Sequence, residues 1–337
     1  MSAGPDRRAF LATIAASLIV APRTAHGAAA GSGPGIINAH GGAWDSRRRS
    51  TLIFGGADDR RVLGGLWQYR AGRWRLLSRL GPAPRTFPGI AYDSRRDRLI
   101  VFGGNRVLFG PNEAFDSLLD DHWEWDGRRW LLFEGLRPPS RTEACLIFDP
   151  IRNRTILFGG WRWQDGQRVR LADLWEFDGT RWHQSPTIGP AARSGMAATW
   201  DPIGKRVTMI GGNGPRHDAW GLTGGGWTQI ADMPQGRFNP ALAFDGGRNQ
   251  LIVFGGWTGK ERLAATLTFE GRNWRQYAGP EPAPRNHASL VPTGDGERLL
   301  LTGGHDGDRV FGDQWEWNGA WRLLHDCAPK PRIDNGH

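Results

Sequence analysis

Between residues 36 and 325 the chain is a succession of short apolar and aromatic runs, each cut off by glycine or by a polar turn. Residues 154–182, RTILFGGWRWQDGQRVRLADLWEFDGTRW, show the pattern. An apolar run halts at Gly159-Gly160, resumes as Leu174-Trp175-Glu176-Phe177, turns at Asp178-Gly179 and ends on Trp182. Runs of this length, bounded by turn residues, predict strands. No segment sustains a long 3.6-residue period, so helices are expected to be scarce.

The same unit returns six times. Glycine pairs end an apolar run at 55–56, 103–104, 159–160, 211–212, 255–256 and 303–304, at intervals of 48, 56, 52, 44 and 48 residues. That is the period of a propeller blade. An arginine stands 18 residues before each of the last five pairs, at Arg85, Arg141, Arg193, Arg237 and Arg285. An aspartate stands ten before the pair in five units, at Asp45, Asp93, Asp149, Asp201 and Asp245. Every unit closes on a tryptophan: Trp74, Trp130, Trp182, Trp227, Trp274 and Trp321. Each unit reads as four strands, a to d, which in the third are Ala144–Phe148, Arg154–Phe158, Leu174–Phe177 and Arg181–Gln184. The c–d link is a tight hairpin written Asp-Gly, Glu-Gly or Asn-Gly in units two, three, five and six.

With its glycine doublet after an apolar strand, its aromatic third strand and its spaced tryptophan, the chain resembles the kelch-repeat family, galactose oxidase-like propellers included. The resemblance covers about residues 36–325. It implies an all-β fold, a six-bladed kelch-type β-propeller of four-stranded antiparallel blades. Two departures are visible: strand c carries Trp or Phe for the usual tyrosine, and unit four reads AWGLTGGGW. A glycine pair repeated six times in register has a structural use, close backbone approach or a positive φ, before a phosphate-binding one. The repeated tryptophans are expected to pack between blades.

Composition refines this picture at the ends. The 49 glycines, 22 prolines and 18 tryptophans agree with many turns and flat packing, and the net charge of +9 is carried almost wholly by arginine. Arg7-Arg8-Ala9-Phe10-Leu11 precedes a short apolar stretch, Thr13 to Ala21, and then small residues at 25–28. This predicts an export signal over 1–27, similar to twin-arginine signals, with a general secretory signal as the alternative. Asp6 and Ala12 depart from the twin-arginine pattern. A flexible linker over 28–35 and a single propeller over 36–337 would follow. The mature protein is then expected in the periplasm or outside the cell, without a stable membrane anchor, without nucleic-acid partners, and as a monomer. Cys145 and Cys327 fall on opposite units and are expected to stay unbridged. Arg332, 47 residues after Arg285, is expected to close the ring beside Ile37.

In a meander the d–a and b–c links share one end of each blade and the a–b and c–d links the other. The b–c links hold 9, 17, 13, 6, 9 and 9 residues between the glycine pair and strand c. Loops vary where function is built, which makes this face the candidate site. Arg85, Arg141, Arg193, Arg237 and Arg285 enter from it and are expected to ring the channel mouth with positive charge. Their forks suit carboxylate, phosphate or sulfate, unless each packs on tryptophan or bonds a loop carbonyl. Trp161, Trp163 and Trp257 offer flat surfaces for a sugar ring or a peptide side chain, with rim packing as the alternative. Glu143, Asp58, Asp218, His217 and His305 are the acids and bases within reach of that face. Glu143 is the most suggestive, because it opens strand a beside the channel, although a salt bridge would also explain it. His217-Asp218, His287 and His305-Asp306 come from units four and six without short ligand spacing, so no metal and no cofactor is expected.

The leading expectation is a binding module for an anionic ligand, whether an acidic glycan, a small carboxylate or a partner protein segment. The alternative is a carbohydrate-acting enzyme resembling the sialic-acid mutarotases. Copper-radical chemistry of the galactose oxidase kind is disfavoured, since Tyr69, Tyr92 and Tyr277 all fall on strands as regular members of the repeat.

Overall fold

The computed structural model describes residues 33–107 and 117–326. Among them no helix forms, and the strands make six four-stranded antiparallel sheets, each a consecutive meander, arranged as the blades of a β-propeller. The innermost strands, one per blade, are Gly41–Asp45, Gly89–Asp93, Cys145–Asp149, Ala197–Asp201, Ala241–Asp245 and Ser289–Thr293. In the third blade the remaining strands are Arg154–Phe158, Leu174–Phe177 and Trp182–Ser185, within a residue of the expected boundaries at most ends. One addition was not foreseen. Its b–c link folds into a hairpin of its own, Trp161–Gln164 with Gln167–Arg170. Asp165 and Gly166 turn it, both with positive φ (51° and 76°), the geometry a two-residue hairpin favours.

The apolar runs are continuous rather than alternating because strands a and b are covered on both faces by neighbouring blades. Ser50–Phe54 and Gln250–Phe254 are buried at every position, whereas the outer strand Trp321–His325 is mostly exposed. The core is accordingly six clusters, one in each gap between blades, and not one central mass. The closing tryptophans fill these gaps. Trp130 stacks edge-on against Phe54 of the preceding blade at 5.5 Å, Trp182 lies on Phe102 at 5.7 Å, Trp227 on Phe158 at 5.1 Å and Trp321 on Phe254 at 5.2 Å. Full burial of such a phenylalanine is worth about 1.5–3 kcal/mol.

The glycine pair is the joint between blades. The second glycine donates its N–H to the carbonyl of the next blade's arginine: Gly56 to Arg85, Gly104 to Arg141, Gly160 to Arg193, Gly212 to Arg237 and Gly256 to Arg285, at 2.8–2.9 Å. A Cβ on the first glycine would collide with that same carbonyl oxygen, and every first glycine has a φ of 61–72°. The ring closes in the same way. Gly304 N donates to Ile37 O, Ile37 N to Phe311 O, and Thr51 Oγ1 to Pro292 O. Residues 1–32 and 327–337 lie outside the described residues, and with them the expected export signal, Cys327 and Arg332. Cys145 is a free, buried thiol that burial pushes up to about 12.

Candidate functional site

Two residues after the arginine position, all six blades place one residue with a left-handed backbone at the axis: Ala39, Phe87, Glu143, Gly195, Asn239 and His287, with φ between 47° and 62°. Backbone hydrogen bonds link them around the ring. Phe87 N donates to Ala39 O, Ala39 N to His287 O, His287 N to Asn239 O, Asn239 N to Gly195 O, and Gly195 N to Glu143 O. The conformation is a property of the ring. It costs roughly 1–2 kcal/mol for each residue with a Cβ and almost nothing for glycine. Gly195 shows that glycine serves, yet four blades hold Phe, Glu, Asn or His there.

These four side chains meet across the axis because the two small residues leave room. Phe87 of blade two reaches His287 of blade six over Ala39, ring centroids 4.7 Å apart and edge-to-face. Asn239 of blade five reaches over Gly195, where a Cβ would stand 2.7 Å from Asn239 Oδ1. Its amide and the Ser194 hydroxyl both act on the Glu143 carboxyl of blade three, favouring its ionised form. Asn239 Nδ2 lies 2.7 Å from His287 Nε2, and His287 Nδ1 lies 2.9 Å from His305 Nε2. With the amide donating to Nε2, His287 carries its proton on Nδ1 and passes a hydrogen bond to His305. A polar chain Glu143–Asn239–His287–His305 thus closes this end of the channel.

Charge in this chain is suppressed. Burial pushes the Glu143 carboxyl up to about 7, against the opposing pull of Ser194, nearby Arg170 and Asn239. Burial likewise lowers His305 to about 4, with Arg262 adding to the effect. His287 falls well below its usual range through burial, His305 and Arg262. Near neutrality the site therefore holds neutral imidazoles and a carboxyl poised to titrate. Arg170 is exposed, and Arg262 is half-buried with Nε donating to Asn286 Oδ1 at 3.1 Å; they supply the adjacent positive charge.

The five repeat arginines lie elsewhere. Arg85, Arg141, Arg193, Arg237 and Arg285 are at most 1% exposed. In each, Nη1 donates to the carbonyl of the first glycine 18 residues on, at 2.7–3.1 Å, which accounts for the spacing in the sequence. Four are gripped in a bidentate pair: Arg85 by Asp121, Arg141 by Asp173, Arg193 by Asp218 and Arg285 by Asp313. Each of these aspartates also accepts the indole N–H two residues on, from Trp123, Trp175, Trp220 and Trp315, at 2.7–2.8 Å. Burial would raise the carboxyls of Asp121, Asp173 and Asp218, but arginine and tryptophan together hold them below the usual range. The expected exposed ring of positive charge is thus replaced by a ring of internal clamps, since a guanidinium buried beside a carboxylate pairs with it first. Arg237 is the exception. Ala265 and Leu267 stand where its aspartate and tryptophan would be, its Nε has no partner, and burial lowers it to about 10.

Other candidates are also redistributed. Asp218 is an arginine clamp, and Asp58 and Asp306 cap their own loops by accepting two backbone N–H groups each. His217 is exposed and faces Asp232 at 3.2 Å, away from the His287–His305 pair. Trp161 is buried under Arg168, whose guanidinium lies 4.7 Å from its ring, while Trp163 and Trp257 are half-buried. Among the described residues no group of three His, Cys, Asp or Glu side chains is placed to hold a metal ion. Sequence reading missed Asn239, Phe87 and Ser194. Their signal was positional, two residues or one after the repeat arginine, but the residue types differ from unit to unit. Compared with known proteins, the chain matches no protein-family model and no curated protein.

Proposed function

We propose that the protein is an exported kelch-type propeller that binds a small acidic, hydroxyl-bearing molecule, an acidic sugar or a small carboxylate, over the Glu143–Asn239–His287–His305 chain. The observation that carries the reading is the ring itself: four blades keep a chemically distinct side chain at a left-handed position where glycine would be less strained. Backbone strain of this kind gathers where side chains are held for a purpose. The neutral imidazoles and the Asn239 amide offer hydrogen bonds to hydroxyls, Arg170 and Arg262 attract an acid group, and Trp257 and Trp163 flank the mouth. Export is supported by the Arg7-Arg8 start and the short apolar stretch behind it.

An anion seated beside Glu143 favours the protonated carboxyl, so binding takes up a proton above pH 7. Calorimetric titration of a panel of acidic sugars and small carboxylates at pH 6 and pH 8 tests this. Affinity is expected to fall at least several-fold at pH 8 in the wild type and to change little in Glu143→Gln. A panel without binders, or binders indifferent to both pH and this substitution, overturns the reading.

A second reading rests on one observation, a carboxyl titrating near 7, where a general acid or base works best. In that case the protein interconverts sugar anomers. Exchange spectroscopy on acidic and neutral sugars would show accelerated mutarotation, abolished in Glu143→Gln; equal rates with and without protein reject it.

A further inference from the structure

The opposite end of the channel is built differently. There the residue before each a–b turn is Trp44, Tyr92, Phe148, Trp200, Phe244 or Pro292, one from each blade, and these six form a collar. Above the collar lies a cavity of about 420 Å³. Its lining runs from mid-strand to turn residues such as Ser46 and Pro202, and it does not reach the ring of Phe87, Glu143, Asn239 and His287. The cavity is therefore a cup on the a–b face whose lining stops short of the polar chain.

Small residues keep it hollow: Gly42, Ala43, Ala91, Ala198 and Ala243 stand in its wall. A volume of this size lies in the range of small-molecule pockets, and its lining is apolar and aromatic, as such pockets are. The lip is basic. The six turns, 45–50, 93–98, 149–154, 201–206, 245–250 and 293–298, hold twelve arginines and lysines against eight acids. Five of those acids, Asp45, Asp93, Asp149, Asp201 and Asp245, are at most 5% exposed; they cap the turns and pair with Arg48, Arg96, Arg152, Arg206 and Arg248. Arg47, Arg49, Arg95 and Lys205 remain exposed around the opening.

We infer that this cup is a second ligand site, separate from the polar chain, for an amphipathic anion: a ring-containing apolar body that enters the collar with one carboxylate or sulfonate held at the arginine lip. Apolar walls reward the body by area, and charge at the lip selects the anion and orients it.

The test uses the full chain and two fluorescent probes, anilinonaphthalene sulfonate and its uncharged analogue phenylnaphthylamine. One sulfonate probe per molecule is expected, with loss of Trp44 and Trp200 emission. Thr199→Phe fills the cup from a wall position and is expected to weaken both probes at least tenfold. Should that variant not fold, as judged by its unfolding midpoint, Trp200→Ala removes one side of the collar and is expected to weaken both several-fold. Arg49→Glu with Arg95→Glu is expected to weaken the sulfonate at least fivefold and leave the neutral probe within twofold. The inference is overturned by several probes per molecule, by affinity indifferent to the cup variants, or by equal loss of both probes on charge reversal. Displacement of the probe by an acidic sugar also overturns it, because the sugar would then occupy this cup and the two sites would be one.

Discussion

At the residue scale Glu143 concentrates the chemistry. It is held at φ 54°, buried, and influenced by Ser194 and Asn239 from two other blades. Its carboxyl titrates near 7 in the folded chain against about 4.3 when unfolded. The folded state therefore binds a proton that the unfolded state has released, and stability falls as pH rises through the window between those values. Full ionisation costs on the order of 3 kcal/mol. The lowered histidines act in the opposite window, their stabilisation being lost as pH falls from 6.5 towards 4. Glu143→Gln keeps the neutral form at every pH. Chemical denaturation at pH 5 and pH 8 is expected to show the variant near wild type at pH 5 and more stable by roughly 2–3 kcal/mol at pH 8. A gap independent of pH would mean that Glu143 is charged throughout.

At the scale of the blade, the repeated device is the clamp of arginine, aspartate, indole and glycine carbonyl. Removing the acid strands a buried guanidinium, which costs about 3–5 kcal/mol. Asp173→Ala is expected to lose that much in a denaturant titration, and a loss under 1 kcal/mol would show the clamp to be incidental. Blades one and five are natural exceptions. Blade one dropped both partners together, with Ile37 for the arginine and Gly65 for the aspartate. Blade five kept Arg237 and lost its acid. Ala265→Asp restores a carboxylate there and is expected to raise stability by about 1 kcal/mol; a decrease would mean that Glu281, which already lies near enough to raise Arg237, fills the role. The glycine joint was readable from its register and period alone. The clamp was half readable: the arginines recur in five units, but Asp121, Asp173, Asp218 and Asp313 lie 36, 32, 25 and 28 residues away. The intervening b–c links differ in length, and no fixed spacing ties acid to base.

On the scale of the whole molecule, six clusters in six gaps mean that no blade has a core of its own. A chain ending at Pro284 loses blade six and opens the clusters shared with blades five and one. It is expected to show no cooperative thermal transition, while the full chain unfolds in one; cooperative melting of the truncated chain would show that the blades fold independently. The sequence by itself determined the number of blades, their strands and their joints. Each blade solves the same local problem, and the solution is written at the same offsets every time. Only the tertiary structure decided which charges face water and which side chains meet. Folding buried all five arginines, four of them against acids 25 to 36 residues along the chain. It also carried Phe87, Glu143, Asn239 and His287, from four different repeats, to a single axis. Offsets within a repeat record what a blade does for its neighbour, whereas contact across the axis depends on the sixfold closure, and on small Ala39 and Gly195 leaving the space for it.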